Sequence, residues 1–341
     1  MRMGSTVSYS GNPVEAAERI RSWERAGLDV VWVPEAYGYD APTLMGYLAA
    51  STERVRIGSA ILPLYSRTPA LIAQTAAGLD HLSGGRAILG LGASGPQVIE
   101  GWHAVPYDRP LARTREIIDV CRRVWRREVL VNDGLYPIPL PDGQGTGLGK
   151  PLKLINHPPR PDIPIFVAAL GDNNVALAAE VANGWIPTIF VPDKARDVWG
   201  ESLARGTEAR AAELGSLDVV AGAPLAIGED VAALRDLSRP RLALYIGGMG
   251  ARNRNFYFNL VCRYGYTDQA RHIQELYLAG RKEEAAAAVP AELVERTSLI
   301  GPASHVKERV AAYREAGVTI LNVDPVGETP LADLEQLRDW L

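Results

Sequence analysis

The residues of this chain that could do chemistry stand where apolar runs give way to turns. Glu35 follows the apolar run 28–33, and just beyond it come Tyr37, Tyr39 and Asp40, three side chains able to give or take a proton. His103, in EGWHAVPYD, is a further proton donor by type, although a histidine at a helix end more often hydrogen-bonds the backbone. Gly92-Ala93-Ser94-Gly95 closes a second apolar run, 87–91. Ala169-Leu170-Gly171-Asp172-Asn173-Asn174 closes a third and opens a helical pattern. Helix-start amides approached through a glycine make an anion seat. Two such turns side by side fit a flat, phosphorylated cofactor lying across strand ends. Arg252 and Arg254, in a glycine-flanked loop, either clamp an anionic group or face solvent.

What positions these residues is a repeating alternation. Residues 55–62 are β-branched and apolar and read as a strand. Thr68-Pro69 supplies an N-cap and a first-turn proline. Leu71, Thr75, Gly78, Leu79 and Leu82 then recur at helical spacing as one apolar face, and Gly84-Gly85 ends the helix. With the strand 87–91 this is a βαβ unit, so its strands are parallel. Further strands are expected at 3–9, 28–33, 163–169, 185–191, 218–227 and 318–323. Helices are expected at 13–25, 42–52, 108–126, 173–182, 193–214, 306–316 and 331–341.

Eight parallel-type strands alternating with helices predict an α/β fold of the (β/α)8 TIM barrel kind, one domain over 1–341. The alternative, an open doubly wound sheet, usually shows GxGxxG after its first strand, and none is there. Two stretches interrupt the rhythm as insertions after strands four and seven. Residues 128–161 are rich in Gly and Pro and read as an excursion of hairpin type, and 230–297 are largely helical. GTGLGK in the first is no phosphate loop, since Pro151 follows the lysine. In a barrel the chemistry lies at the C-terminal strand ends, where the candidates above fall. Asp80, His81 and Arg86 fall at the opposite end, Asp80 and Arg86 reading as an ion pair or cap. Arg113, Arg115, Arg122, Arg123, Arg126 and Arg127 read as the solvated face of a helix whose buried stripe is Ile117, Cys121 and Val124.

Composition excludes several classes. A net charge of −4 gives no electrostatic reason to expect nucleic acid or an anionic membrane as partner. Cys121 and Cys262 stand far apart with no CxxC pair, which argues against a disulfide framework and a cysteine zinc site, and no metal is expected. MRMGSTVSYS lacks an apolar signal core and no later stretch approaches a membrane span, so a cytoplasmic protein is expected.

The motifs IGSAILPLYSRTP, LDHLSGGRAILGLGASGPQVIEGWH, IPIFVAALGDNNVALAAEVANGW and LALYIGGMGARNRNFY resemble the luciferase-like monooxygenase superfamily, and within it the coenzyme F420 (5-deazaflavin)-dependent oxidoreductases. The resemblance covers nearly the whole length and implies a barrel binding the deazaflavin at its strand C-termini, in a homodimer acting on a small organic substrate. It implies a cis peptide at Ala60-Ile61 behind the central ring. It places Glu35, Ser59 and Gly92, Ala93, Ser94 and Gly95 near ring and side chain, and Ala169, Gly171, Asn173 and Asn174 at the phosphate. Sugar-phosphate and alcohol dehydrogenases of the family carry a catalytic histidine where this chain has Ala36. That departure favours a reductase, with Tyr37, Tyr39, Asp40 or His103 as proton donor. The alternatives are an FMN-dependent two-component monooxygenase and a flavin-binding barrel without turnover.

Overall fold

Valine, isoleucine and leucine fill the runs that the alternation marks as strands, and in the computed structural model, which describes residues 1–250, 252 and 254–341, every paired strand is parallel. The strands are β1 (Arg2–Thr6), β2 (Val30–Val33), β3 (Arg56–Ser59), β4 (Leu62–Pro63), β5 (Ala87–Gly92), β6 (Ile165–Ala168), β7 (Gly184–Ile186), β8 (Asp218–Ile227), β9 (Leu299–Gly301) and β10 (Ile320–Pro325). The order β1-β2-β3-β5-β6-β7-β8 is closed by β10, which pairs with both β8 and β1. This is the closed eight-stranded barrel that the alternation predicts. β4 carries on from β3 past a cis Ala60–Ile61 peptide and pairs with β5, and β9 flanks the far end of β8.

The barrel interior is filled by Val30, Trp32, Ile88, Phe166, Val220 and Ile320. The rings of Trp32 and Phe166 lie with centroids 5.5 Å apart. Each ring takes space that a neighbouring strand leaves open: a Cβ at Gly58 would collide with Trp32, and one at Gly184 with Phe166. The larger core lies outside the sheet, between strands and helices. Helix starts are signalled as in the sequence. Asn12, Asp40 and Thr68 accept from the amides of Val14, Thr43 and Leu71, each with a proline in the first turn.

Several expectations need correction. Helix Pro69–Leu82 buries Ile72, Ala73, Ala76, Ala77 and Leu79, whereas Leu71 and Leu82 are 47% and 73% exposed. Hydrophobicity alone points to the leucines, but close packing between helices selects small side chains. Asp80 does not pair with Arg86. It is fully buried, holds Arg160 at 2.7 Å and accepts from the Ala87 amide. Arg86 instead donates to the carbonyls of Ala49, Thr52, Val55 and Ser83. The arginines of helix Pro110–Trp125 are not simply solvated: Arg115 pairs with Glu180 and Arg122 donates to the Val181 carbonyl.

The excursion before β6 forms no hairpin ladder, only the isolated bridges Leu130↔Leu152 and Asn132↔Ile138. Pro137, Pro139 and Pro141 carry no amide donors with which to extend one. The expected helix 193–214 splits into Pro192–Glu208 and a short 3-10 turn, Ala212–Leu214. The expected strand 185–191 is only Gly184–Ile186, because Pro187 follows at once. Helix Pro96–Gly101, β4 and β9 are too short to announce themselves by periodicity. Among the described residues no helix is long and apolar enough to cross a membrane.

Asp80 ties the end of one helix to β5 and to the chain entering β6. Asp80→Ala strands the Arg160 guanidinium and the Ala87 amide, and is expected to cost about 3 kcal/mol. Denaturant unfolding checks it, a change below about 1 kcal/mol marking a surface ion pair instead.

Candidate active site at the strand C-termini

On the side of β3, β5 and β6 the barrel mouth is lined by small residues. A Cβ at Gly92 would meet Ile61 Cγ1 at 2.8 Å and Ala168 Cβ at 3.4 Å, so Ile61, Gly92 and Ala168 adjoin one another. Ala60 packs against the interior cluster just beneath. The turn after β5 continues through Ala93 and through Ser94, whose φ of 59° is left-handed, to Gly95, which starts the helix Pro96–Gly101 without a side-chain cap. This low shelf is a cradle that larger side chains would fill, and it fits a flat ring. Ser59 does not reach it. Fully buried, its hydroxyl donates to the Gly90 carbonyl at 2.8 Å and accepts from the Gly90 amide at 2.9 Å, so it registers β3 against β5.

Glu35 is likewise committed. Its carboxylate binds Arg67 through both oxygens, at 2.5 and 2.8 Å, and accepts from the Ala41 amide at 2.8 Å. With side chains 5% and 13% exposed, the pair joins the loop after β2 to the loop after β4. Asp40 caps the helix Ala41–Ser51 through the Thr43 amide and hydroxyl. Tyr37 and Tyr39 stand out from the loop, 67% and 81% exposed. Tyr39 and Asp40 border a cavity of about 300 Å³ between the turns after β1 and β2, lined also by Tyr9, Val14, Leu44 and Tyr47. His103 lies beyond the helix Pro96–Gly101, its Nε2 buried without a partner among the described residues. Tyr37, Tyr39, Asp40 and His103, the alternative proton donors expected from sequence, thus fall in different settings: exposed tyrosines, a helix cap and a buried imidazole nitrogen.

The turn after β6 is anchored from behind by two indoles. Trp185 Nε1 donates to the Ala169 carbonyl at 2.9 Å, and Trp199 Nε1 to the Leu170 carbonyl at 3.0 Å. Gly171 then opens the helix Asp172–Val181 with no side-chain cap, leaving the first amides free for a ligand. A Cβ at Gly171 would meet nothing within 4 Å. Two cations absent from the sequence reading flank this start. Arg205 donates to Asn173 Oδ1 at 3.2 Å, and Arg263 pairs with Asp172 at 2.9 Å. Asn174 follows in the first turn. Arg252 and Arg254 are both exposed, and Ala251 and Asn253 of their loop lie outside the described residues.

On the far side of the mouth are polar groups that sequence reading passed over. Asn322 of β10 donates to Thr6 Oγ1 at 3.0 Å, while its Oδ1 and the Trp32 Nε1 are buried and unpartnered among the described residues. Both atoms face the space above Gly4, 3.1 and 3.2 Å from where its Cβ would stand. Asp324 follows two residues on. Asp324 is exposed at the rim, and partial desolvation by the surrounding protein raises its carboxyl, with Arg241 and Arg19 pulling it partly back. Beyond the neighbouring strand β1, Tyr9 is 57% exposed, yet desolvation raises its hydroxyl, with Tyr245 and Tyr37 adding to the effect. Tyr257 is raised for the same reason and packs edge-on against Tyr245 at 4.6 Å. The signal for Asp324 was its place at the end of the last strand, but isolated strand-end aspartates are common in turns.

Comparison with known proteins decides the family. The sequence profile of the luciferase-like monooxygenases matches residues 1–319. The chain belongs to that family. It is 43% identical, over 99% of both chains, to a Mycobacterium tuberculosis protein provisionally named a coenzyme F420-dependent oxidoreductase. It is 26% identical to the 5,10-methylenetetrahydromethanopterin reductase of Archaeoglobus fulgidus, over 89% of this chain and 87% of that one. Among solved structures, the coenzyme F420-dependent tetrahydromethanopterin reductase of Methanopyrus kandleri superposes with a TM-score of 0.81 at 22% identity, covering 98% and 96% of the two chains. That likeness shows the shared luciferase-like barrel.

In this luciferase-like barrel the Glu35–Arg67 pair holds two mouth loops together. Arg67→Met leaves Glu35 buried without its cation and is expected to cost about 3 kcal/mol at neutral pH. Melting temperature checks this, with Glu35→Gln/Arg67→Met expected to recover much of the lost stability. A single variant as stable as the wild type would contradict it.

Proposed function

We propose that this chain is a coenzyme F420-dependent oxidoreductase that transfers a hydride between the 5-deazaflavin and a small organic substrate, running as a reductase. The observation carrying this reading is the 43% identity, over 99% of both chains, to the coenzyme F420-dependent relative. When bound, the deazaflavin supplies a hydride-carrying ring carbon; the chain's residues do the rest. Ala60, Ile61, Gly92, Ala93, Ser94 and Gly95 form the surface for ring and side chain, while Glu35 and Ser59 keep their strands and loops in place beneath it. Ala169, Gly171, Asn173 and Asn174, with Arg205 and Arg263, form the phosphate seat. Ala36 in place of a catalytic histidine supports reduction, which needs only a proton donor, over alcohol oxidation. The reading also takes the chain as one barrel domain with excursions at 128–161 and 230–297, working in the cytoplasm as a homodimer.

An FMN-dependent monooxygenase sharing this fold would bind FMN and turn over with oxygen. Fluorescence titration is therefore expected to show tighter binding of coenzyme F420 than of FMN. Equal or stronger FMN affinity, with oxygen-dependent turnover, would reverse the assignment.

The phosphate seat has its own test. Gly171 has an ordinary φ of −76° and open space at its Cβ, so valine is tolerated by the fold there. Gly171→Val should lower coenzyme affinity at least tenfold, by blocking approach to the first helix amides, with the melting temperature of the coenzyme-free protein unchanged. Undiminished affinity would move the phosphate elsewhere, with Arg252 and Arg254 the next place to look.

A further inference from the structure

Reduction of a polar double bond needs an acid at the barrel mouth, and the groups predicted for that task are poorly placed for it. Asp40 is spent on Thr43, Tyr37 and Tyr39 project outward, and His103 lies beyond a helix. Of the other carboxylates near the strand ends, Glu35 is paired with Arg67, Asp108 with Arg113 and Asp172 with Arg263, while Glu229 and Asp230 stand exposed in the turn beyond β8. Asp324 stands apart. Along β10, Ile320 belongs to the interior cluster and Asn322 donates to Thr6 of the neighbouring strand β1, so strand alternation turns Asp324 inward at the mouth. Exposed at the mouth, it makes no ion pair and no side-chain hydrogen bond among the described residues.

We propose that Asp324 is the acid of this site, handing its proton to the oxygen or nitrogen of a small carbonyl or imine substrate as the adjacent carbon takes the hydride. The inference rests on the reductase reading above. The substrate carbon gains the hydride with its electron pair, the π pair of the double bond moves to the heteroatom, and that atom bonds the Asp324 proton. Asp324 is left as carboxylate and regains its proton from water, while the reduced deazaflavin, the hydride source, leaves oxidised.

Asp324 opens to solvent at the mouth, and few charges face it. Its register partner on β8 is Pro224, and the inward residue ending β1 is Thr6, neither of which titrates. The charges acting on it are Arg241, from helix Arg239–Ala243, and Arg19, from helix Pro13–Arg25; Tyr9 stands beyond β1. Although the residue is exposed at the rim, partial desolvation by the surrounding protein raises its carboxyl, with Arg241 and Arg19 opposing.

Two measurements on the full-length protein test the assignment. The first needs no substrate. A carboxyl whose pKa rises on folding stabilises the fold below its unfolded value, and that stabilisation is lost as pH rises through the folded value. Asparagine suffers no such loss. The melting temperature of Asp324→Asn should therefore gain on wild type between pH 4 and pH 8, and a pH-independent difference would overturn the proposal.

The second follows oxidation of reduced coenzyme F420 with cyclohexanone as probe. Asp324→Asn should turn over about 100-fold more slowly, with coenzyme affinity unchanged and part of the rate regained in Asp324→Glu. A variant with the wild-type rate and pH profile overturns the role. Failure of the wild type to bind coenzyme F420 would instead sink the reductase reading, and the melting series would still decide whether Asp324 is held protonated.

Discussion

A closed barrel of eight strands has an interior that must be filled by side chains, and the way this one is filled governs what stands at its mouth. Trp32 and Phe166 are large for such an interior. They fit because Gly58 and Gly184 leave out the side chains that would collide with them. Neither glycine adopts a left-handed backbone, so space alone calls for glycine there. With the middle of the barrel plugged by two rings, the layer above is free to be small: Ala60, Gly92 and Ala168 on one side, and Thr6, Asn322 and Asp324 on the other. The floor of the site is thus apolar and flat beside β3, β5 and β6, and polar beside β1 and β10.

The loops around this floor are held by interactions of long sequence separation. Glu35 and Arg67 join two loops with a charge pair that the surrounding fold largely dries. Such a pair is valuable chiefly because its members need each other. The indoles of Trp185 and Trp199 do comparable work behind the turn after β6, each donating one hydrogen bond to a carbonyl that would otherwise be left without a partner. The helix start that they steady carries Arg205 and Arg263 beside Asp172. Two guanidinium groups against one carboxylate leave a net positive field where the first helix amides point outward, the arrangement that an anionic group requires.

Much of the candidate site was legible in the chain because it is local. Gly92-Ala93-Ser94-Gly95 and Gly171-Asp172-Asn173-Asn174 are turns and helix starts, whose chemistry resides in consecutive residues. Glu35 was recognised as standing at a strand end, but its partner is 32 positions away, so its task could not be read. Ser59 and Asp40 each carry one group that the fold engages: Asp40 caps its own helix at Thr43, three residues on, while Ser59 bonds Gly90 of the neighbouring strand, 31 residues away. Asp324 went unread for the opposite reason: nothing near it in sequence marks it, and its character comes from what surrounds it and from what fails to pair with it.

The sequence by itself determined the alternation of strands and helices, the parallel pairing and hence the barrel, along with the helix caps at Asn12, Asp40 and Thr68. These depend on periodicity and on side chains a few residues apart, which chain order preserves. Only the tertiary structure decided which carboxylates near the site are spent, such as Glu35 and Asp172, and that Asp324 is not among them. It also decided which face of helix Pro69–Leu82 is buried and which arginines flank the helix start at Gly171. Those outcomes depend on groups brought together by barrel closure from positions up to hundreds of residues apart, and on the loss of water between them, neither of which is written in any single stretch of chain.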